Sequence, residues 1–214
     1  MRIVADENIA GLHESFGTLG ELIAMPGRSI TAGDLHNADA LIARSVTQVN
    51  SALLGGTSVK FVGSCTIGTD HIDLDFLKKM AIEFSYAPGC NARAVAEYVV
   101  AALFQLLGDL PAWQSKRVGI VGFGNVGRHF SQLLDVLGIA WVAFDPLILQ
   151  TSSNLVAFDE ILRCDIVSLH VPLVKNGLHA THHWFDETML EQLATDAVII
   201  NSARGSVIKN ADLL

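Results

Sequence analysis

The chain has 214 residues, 50% hydrophobic and 17% charged, which suffices for one large α/β domain or two modest ones and rules out disorder. Its 14 basic and 22 acidic side chains leave a formal charge of −8, which argues against a nucleic-acid surface and against attraction to anionic membranes. Three cysteines, Cys65, Cys90 and Cys164, are an odd number without close spacing, so neither a disulfide framework nor a metal site is expected, and a reducing, cytoplasmic setting fits.

Asp6 and Glu7 interrupt what would have to be the apolar core of an export signal. Short β-rich apolar runs at 2–5, 21–25, 40–43, 61–65 and 83–87 read as strands, with helix-compatible segments between most of them, the pattern of a parallel, doubly wound sheet. Pro88-Gly89 breaks the chain. A long helix is predicted at 92–107, with Ala94, Val95, Tyr98, Val99, Ala102, Leu103, Leu106 and Leu107 along one side. The stretch 95–107 is the most apolar in the chain, carries Glu97 and falls short of the roughly 20 residues needed to cross a bilayer.

A second alternation follows, with strands predicted at 118–121, 141–144, 165–169 and 197–200, a helix ending near Leu137, and helices near 158–163 and 187–193. The expected domains are therefore 1–90 and 91–214. Residues 208–214 read as the opening of a helix without a cap or polar tail, so the chain is expected to be a fragment whose last residues fray unless they pack on the second lobe.

Gly122-Phe123-Gly124-Asn125-Val126-Gly127 matches G-x-G-x-x-G, follows an apolar strand and opens a helix with Val126, Phe130, Leu133, Leu134 and Leu137 on its buried side. Each glycine has a mechanical reason: Gly122 for the tight turn, Gly124 for close approach of a pyrophosphate, and Gly127 for helix–strand packing. Amides at the helix N-terminus and its positive dipole end suit phosphates. The next strand ends at Asp145, whose carboxylate can accept both ribose hydroxyls and would repel a 2′-phosphate, favouring NAD over NADP. Flavin and S-adenosylmethionine proteins share parts of this pattern.

Ligands in open α/β sheets collect beyond the carboxyl ends of the strands. His170-Val171-Pro172 and Asn201-Ser202-Ala203-Arg204-Gly205 stand there in the second lobe. Arg204 has the charge and fork geometry to hold a substrate carboxylate and polarise an adjacent carbonyl, or it makes a surface ion pair. In the first lobe, hydroxyls of Ser45 and Thr66 either bind anionic oxygens or cap turns, and Arg44 is either an ion pair or a phosphate ligand. Of the eight histidines none reads as a general acid/base: His182 and His183 lie in a polar stretch, His71 reads as structural, and His170 shapes a pocket.

Together with Ala87-Pro88-Gly89-Cys90-Asn91 before the long helix, the glycine turn, His170-Val171-Pro172-Leu173 and Ile200 to Gly205, the sequence resembles the D-isomer specific 2-hydroxyacid dehydrogenase family. Asp6-Glu7-Asn8, Pro26-Gly27-Arg28, Arg44-Ser45-Val46-Thr47 and Gly68 to Asp73 resemble the subgroup serving pyridoxine (pyridoxal 5′-phosphate) biosynthesis. The resemblance implies a flavodoxin-like substrate lobe, a C-terminally incomplete Rossmann NAD-binding lobe, and oxidation of 4-phospho-D-erythronate to its 2-oxo acid by hydride transfer to NAD. It carries the catalytic arginine onto Arg204, the substrate-contacting hydroxyls onto Ser45 and Thr66, and cofactor contacts onto Asn125, Val126, Asp145, Ser202, Ala203 and Arg204, beside Gly122, Gly124 and Gly127. A cofactor-contacting threonine of the family stands here as Val171. The family's acid/base glutamate and histidine, and the dimerisation region of its homodimeric full-length members, are implied to lie after residue 214, so this chain alone is expected to be inactive. A phosphoglycerate-type dehydrogenase and a non-catalytic NAD-binding regulatory module are the alternatives.

Overall fold

The computed structural model describes residues 1–148 and 153–213. It divides into two compact units, Met1–Cys90 and Asn91–Leu214. In the first, strands β1 (Arg2–Asp6), β2 (Glu21–Met25), β3 (Ala40–Ala43), β4 (Phe61–Ser64) and β5 (Glu83–Tyr86) are all parallel and lie in the order β2-β1-β3-β4-β5. This is the flavodoxin-like order, with its switch point between β1 and β3. β3 is buried at every position and reads as a continuous apolar run, as a central parallel strand must.

The helices between these strands, α1 (Leu12–Phe16), α2 (Ala32–Leu35), α3 (Ser51–Leu54) and α4 (Leu74–Lys79), are short, and the last three carry side-chain caps. Thr31 and Asp34 form a capping box on α2, the Asn50 side chain accepts the Ala52 and Leu53 amides of α3, and Asp73 accepts Phe76 N–H at 2.9 Å on α4.

The second unit contains α5 (Ala92–Leu107), α6 (Pro111–Gln114), β6 (Arg117–Val121), α7 (Asn125–Leu137), β7 (Ala140–Phe144), α8 (Phe158–Ile161), β8 (Ile166–Leu169), α9 (Glu187–Leu190) and β9 (Val198–Asn201). Its parallel sheet runs β7-β6-β8-β9, which places a switch point between β6 and β8. The predicted parallel α/β architecture is therefore the observed one, with strand ends within a residue of expectation. α8 and α9 stop two or three residues sooner than the sequence suggests.

One device fixes the amino ends of both sheets. Asp39 accepts Arg2 N–H at 2.7 Å just before β3, and Asp165 accepts Arg117 N–H at 2.7 Å just before β8. Each carboxylate satisfies an amide at the start of the neighbouring strand and so sets the parallel register.

Three expectations need correction. The buried stripe of α5 is Ala92, Ala96, Val99 and Leu103, while Ala94, Tyr98 and Leu106 of the expected side are exposed. The helix is apolar over much of its circumference, so its period cannot select a face; small residues let it approach α7 closely. On α7 the buried positions are Gly127, Phe130, Ser131 and Leu134, with Val126, Leu133 and Leu137 half-buried. The tail does not open an α-helix: Asn210–Leu213 is a 3₁₀ turn, and the final residue of that prediction, Leu214, lies outside the described residues. Val207 and Ile208 are buried, Lys209 N–H donates to Phe185 O at 3.0 Å, and Asp212 accepts Glu187 N–H at 2.9 Å, so the tail is tied to the unit. Among the described residues no helix is long and apolar enough to cross a membrane.

Candidate functional site

The glycine turn sits at the β6/β8 switch point, and its three glycines do different work. Gly122 has φ +91°, donates its N–H to Phe144 O at 2.9 Å, and a Cβ there would lie 2.8 Å from His170 O and 3.0 Å from Val171 Cγ1. A Cβ on Gly127 would lie 2.3 Å from Gly122 O, so only glycine lets α7 start this close to the turn. A Cβ on Gly124 would meet nothing within 4 Å. The space before Gly124 is open.

That opening belongs to a cavity of about 420 Å³, within the range of small-molecule sites, lined by Gly122, Gly124, Asp145 and the 170–172 segment, with Phe158 and Trp184 on its apolar wall. Asp145 follows β7 at the rim. Its Oδ2 accepts Phe123 N–H at 2.9 Å and its Oδ1 accepts Leu147 N–H at 3.0 Å, so the carboxylate is oriented before any ligand arrives. Asn125 and Val126 form the first turn of α7, where no side chain caps the helix and no acid counters the positive end of its dipole. A dinucleotide fits this donor set: amides and open space for a diphosphate, and a fixed carboxylate for sugar hydroxyls.

The loop after β9 joins the crevice through His170. Ser202 Oγ lies 2.7 Å from His170 Nδ1, and Ser168 Oγ lies 2.9 Å from Nε2. Burial pushes the imidazole down to about 4, so the ring is neutral at pH 7. Asn201 closes the loop on itself, its Oδ1 accepting Ala203 N–H at 3.0 Å and its Nδ2 donating to Arg204 O at 2.8 Å. Arg204 is half-buried, and its guanidinium donates to Ala203 O at 3.0 Å. Ser202, Ala203 and Arg204 thus stand on one braced loop beside the cavity rather than in its lining. Val171 is in the lining and turns its Cγ1 methyl toward Gly122.

In the first unit, Ser45 is exposed just beyond β3, and Thr66 is half-buried, with its Oγ1 3.0 Å from Ser64 Oγ. Arg44 resolves to an ion pair. Its Nε and Nη2 donate to the two oxygens of Asp6 at 2.9 and 3.3 Å, beneath a Gly27 whose Cβ would lie 2.3 Å from Asp6 Oδ2. Burial raises the Asp6 carboxyl, but the Asn8 amide and the Arg44 guanidinium outweigh it and hold it below the usual carboxylate range. The sequence reading missed this pairing; a carboxylate ending a buried central strand was the available signal. His71 is buried with Nε2 3.2 Å from Ser64 Oγ, a structural position. His182 and His183 are exposed and stacked at 3.9 Å, and among the described residues no three His, Cys, Asp or Glu side chains group as a metal site would require.

Residues 105–214 match the family "D-isomer specific 2-hydroxyacid dehydrogenase, NAD binding domain". The whole chain is 48% identical to erythronate-4-phosphate dehydrogenase of Cellvibrio japonicus and 46% identical to that of Acinetobacter baumannii, covering 56% and 61% of those proteins. It therefore spans little more than half the length of these relatives. Among solved structures it is similar to the NAD+-bound 3-phosphoglycerate dehydrogenase of Entamoeba histolytica, with a TM-score of 0.84 and 25% identity over 100% of this chain and 75% of that one. On these grounds the chain belongs to the D-isomer specific 2-hydroxyacid dehydrogenase family, and its second unit is an NAD-binding domain of that family.

Proposed function

We propose that this chain is the coenzyme-holding and substrate-holding part of an NAD-dependent dehydrogenase that oxidises 4-phospho-D-erythronate to its 2-oxo acid in pyridoxine biosynthesis. The observation that carries the reading is the crevice at the β6/β8 switch point, where open space at Gly124 meets the pre-oriented Asp145 carboxylate. The 46–48% identity to two erythronate-4-phosphate dehydrogenases supports the choice of substrate. In this reading Gly124, Asn125 and Val126 hold the diphosphate on the turn that Gly122 and Gly127 shape, Asp145 accepts the adenosine ribose hydroxyls, and Ser202 and Ala203 border the coenzyme. NAD, when bound, supplies the hydride acceptor.

Arg204 then binds the substrate carboxylate and polarises the carbon–oxygen bond being oxidised, while Ser45 and Thr66 donate hydrogen bonds to substrate oxygens. A proton acceptor is also needed. His170 is ill suited because both ring nitrogens already face serine hydroxyls. We therefore expect turnover by the 214-residue chain to lie about 10²–10⁴-fold below that of a longer, homodimeric, cytoplasmic enzyme.

The deciding experiment is calorimetric titration of the chain with NAD and NADP, followed by titration of the NAD complex with 4-phospho-D-erythronate and with 3-phosphoglycerate. NAD should bind more tightly than NADP, and the four-carbon acid more tightly than the three-carbon one. Absence of heat with NAD on a folded sample would refute the coenzyme site. Tighter binding of 3-phosphoglycerate would move the substrate to the phosphoglycerate class.

A further inference from the structure

We infer that His170 is a positioning residue, a neutral ring held between Ser168 and Ser202 that fixes the loop 201–204, and with it Arg204, against the crevice. The geometry sets the tautomer. Ser202 Oγ has a single hydrogen and lies 3.1 Å from Leu169 O, which can only accept. Ser202 gives its hydrogen there and accepts from His170 Nδ1–H at 2.7 Å. Nε2 is then the unprotonated nitrogen and accepts the Ser168 hydroxyl at 2.9 Å. Each hydrogen in the set is used once.

The ring also reaches two other elements: Phe130 of α7 packs on it at 5.6 Å, and Ser168, on β8, is fully buried. The His170 carbonyl, rather than the ring, lies beside Gly122 on the turn after β6. Among the described residues the groups facing the ring are thus two hydroxyls and a phenyl, none of them titratable, and burial alone accounts for its low basicity. From Ser202 the bracing continues through the Asn201 amide to Arg204 O. An imidazole that took up a proton would turn Nε2 into a donor and oblige Ser168 to accept, and among the described residues no carboxylate pairs with the ring to balance the buried charge. The device therefore keeps the arginine loop in one place over the pH range in which an exposed histidine switches.

The role given to Arg204 rests on the proposed dehydrogenase reading; the bracing of its loop does not. The test uses the 214-residue chain with ¹⁵N-labelled histidine. In the wild type the His170 ring should carry its hydrogen on Nδ1 and show no titration from pH 8 to 5.5, and NAD affinity should vary less than about twofold over that range. In Ser202→Ala the buried Nδ1–H loses its partner: amide exchange at 201–204 should rise while β6 stays protected, and NAD should bind about tenfold more weakly. Ser202→Thr, which restores a hydroxyl, should return both values to within about threefold. A hydrogen on Nε2 in the wild type, titration near 6.5, or unchanged exchange at 201–204 in Ser202→Ala would overturn the assignment. If Ser202→Ala does not fold, the wild-type ring spectrum and Ser168→Ala carry the same decision. A wild type with the expected ring spectrum that gives no heat with NAD supports the brace and refutes the coenzyme reading, so the two failures are separable.

Discussion

The two units place different chemistry at the same topological position. Each is a parallel sheet with a switch point beside its first strand, and each sets its register with an aspartate at the amino end of the neighbouring strand, Asp39 in one and Asp165 in the other. At the carboxyl end they part. The first unit fills its switch point with a charged pair, Asp6 and Arg44, closed over by Gly27. The second leaves its switch point to glycines and an open cavity. Topology supplies a crevice, and side chains decide whether it is filled or left for a ligand.

The largest expected effect comes from restoring a side chain where the second unit forbids one. Gly127→Ala drives a Cβ to 2.3 Å from Gly122 O, backbone against backbone, and should cost about 4 kcal/mol or more. That lowers the melting temperature by on the order of 10 °C and removes NAD binding. Gly124→Ala makes the contrast, since its Cβ meets nothing: melting should move by no more than about 2 °C while NAD binds at least about tenfold more weakly. Equal melting losses in the two variants would erase the distinction between packing glycine and ligand-facing glycine.

The filled switch point should answer to charge. Arg44→Ala leaves the fully buried Asp6 carboxylate without its cation and should cost about 3 kcal/mol. Asp6→Asn should cost less, because the Arg44 side chain is 33% exposed and can turn toward water. Neither should alter NAD affinity, because Asp6 and Arg44 belong to the other unit. Chemical denaturation with a coenzyme titration on each variant checks both halves, and a reversed order of the two losses would contradict the burial argument.

How much of this was legible beforehand follows from sequence distance. Strands β2 and β3, the glycine turn and Asp145 could be read because strand, turn, helix and acid follow one another locally. The Asp6–Arg44 pair joins residues 38 apart, and the His170–Ser202 contact joins residues 32 apart. Only the order of the strands brings such partners together, so Arg44 alone in the sequence stayed undecided between an ion pair and a phosphate ligand. The face of α5 was misread for another reason: Leu106 is as apolar as Leu103, the Tyr98 ring adds to the same ambiguity, and contact with α7 makes the choice.

A pH effect of intermediate size separates the units further. The His170 value in the folded state lies near 4, below the 6.5 of an exposed histidine, so between those limits the unfolded chain binds more protons and stability falls as pH is lowered. From pH 7 to 5 the second unit should lose about 2 kcal/mol, an upper bound because the residue retains some exposure. Asp6 titrates lower. Its stabilisation is present above the ordinary carboxylate range and is lost as pH falls through its depressed folded value, so the first unit should hold through that interval. Amide exchange resolved by unit at the two pH values distinguishes them, and a first unit that weakens first would break the comparison.

The smallest effect concerns selectivity at the open crevice. Asp145 spends one interaction of each oxygen on the Phe123 and Leu147 amides, and those bonds hold the carboxylate at the cavity rim. Replacing it with alanine frees two amides at that rim and removes the negative charge that would face a 2′-phosphate. Asp145→Ala should weaken NAD binding about tenfold while NADP affinity holds or improves, bringing the two coenzymes close to parity. Calorimetry with both dinucleotides on wild type and variant reads the ratio directly. If the ratio were unchanged, Asp145 would serve only to fasten the turn, and selection against the 2′-phosphate would have to come from another part of the crevice.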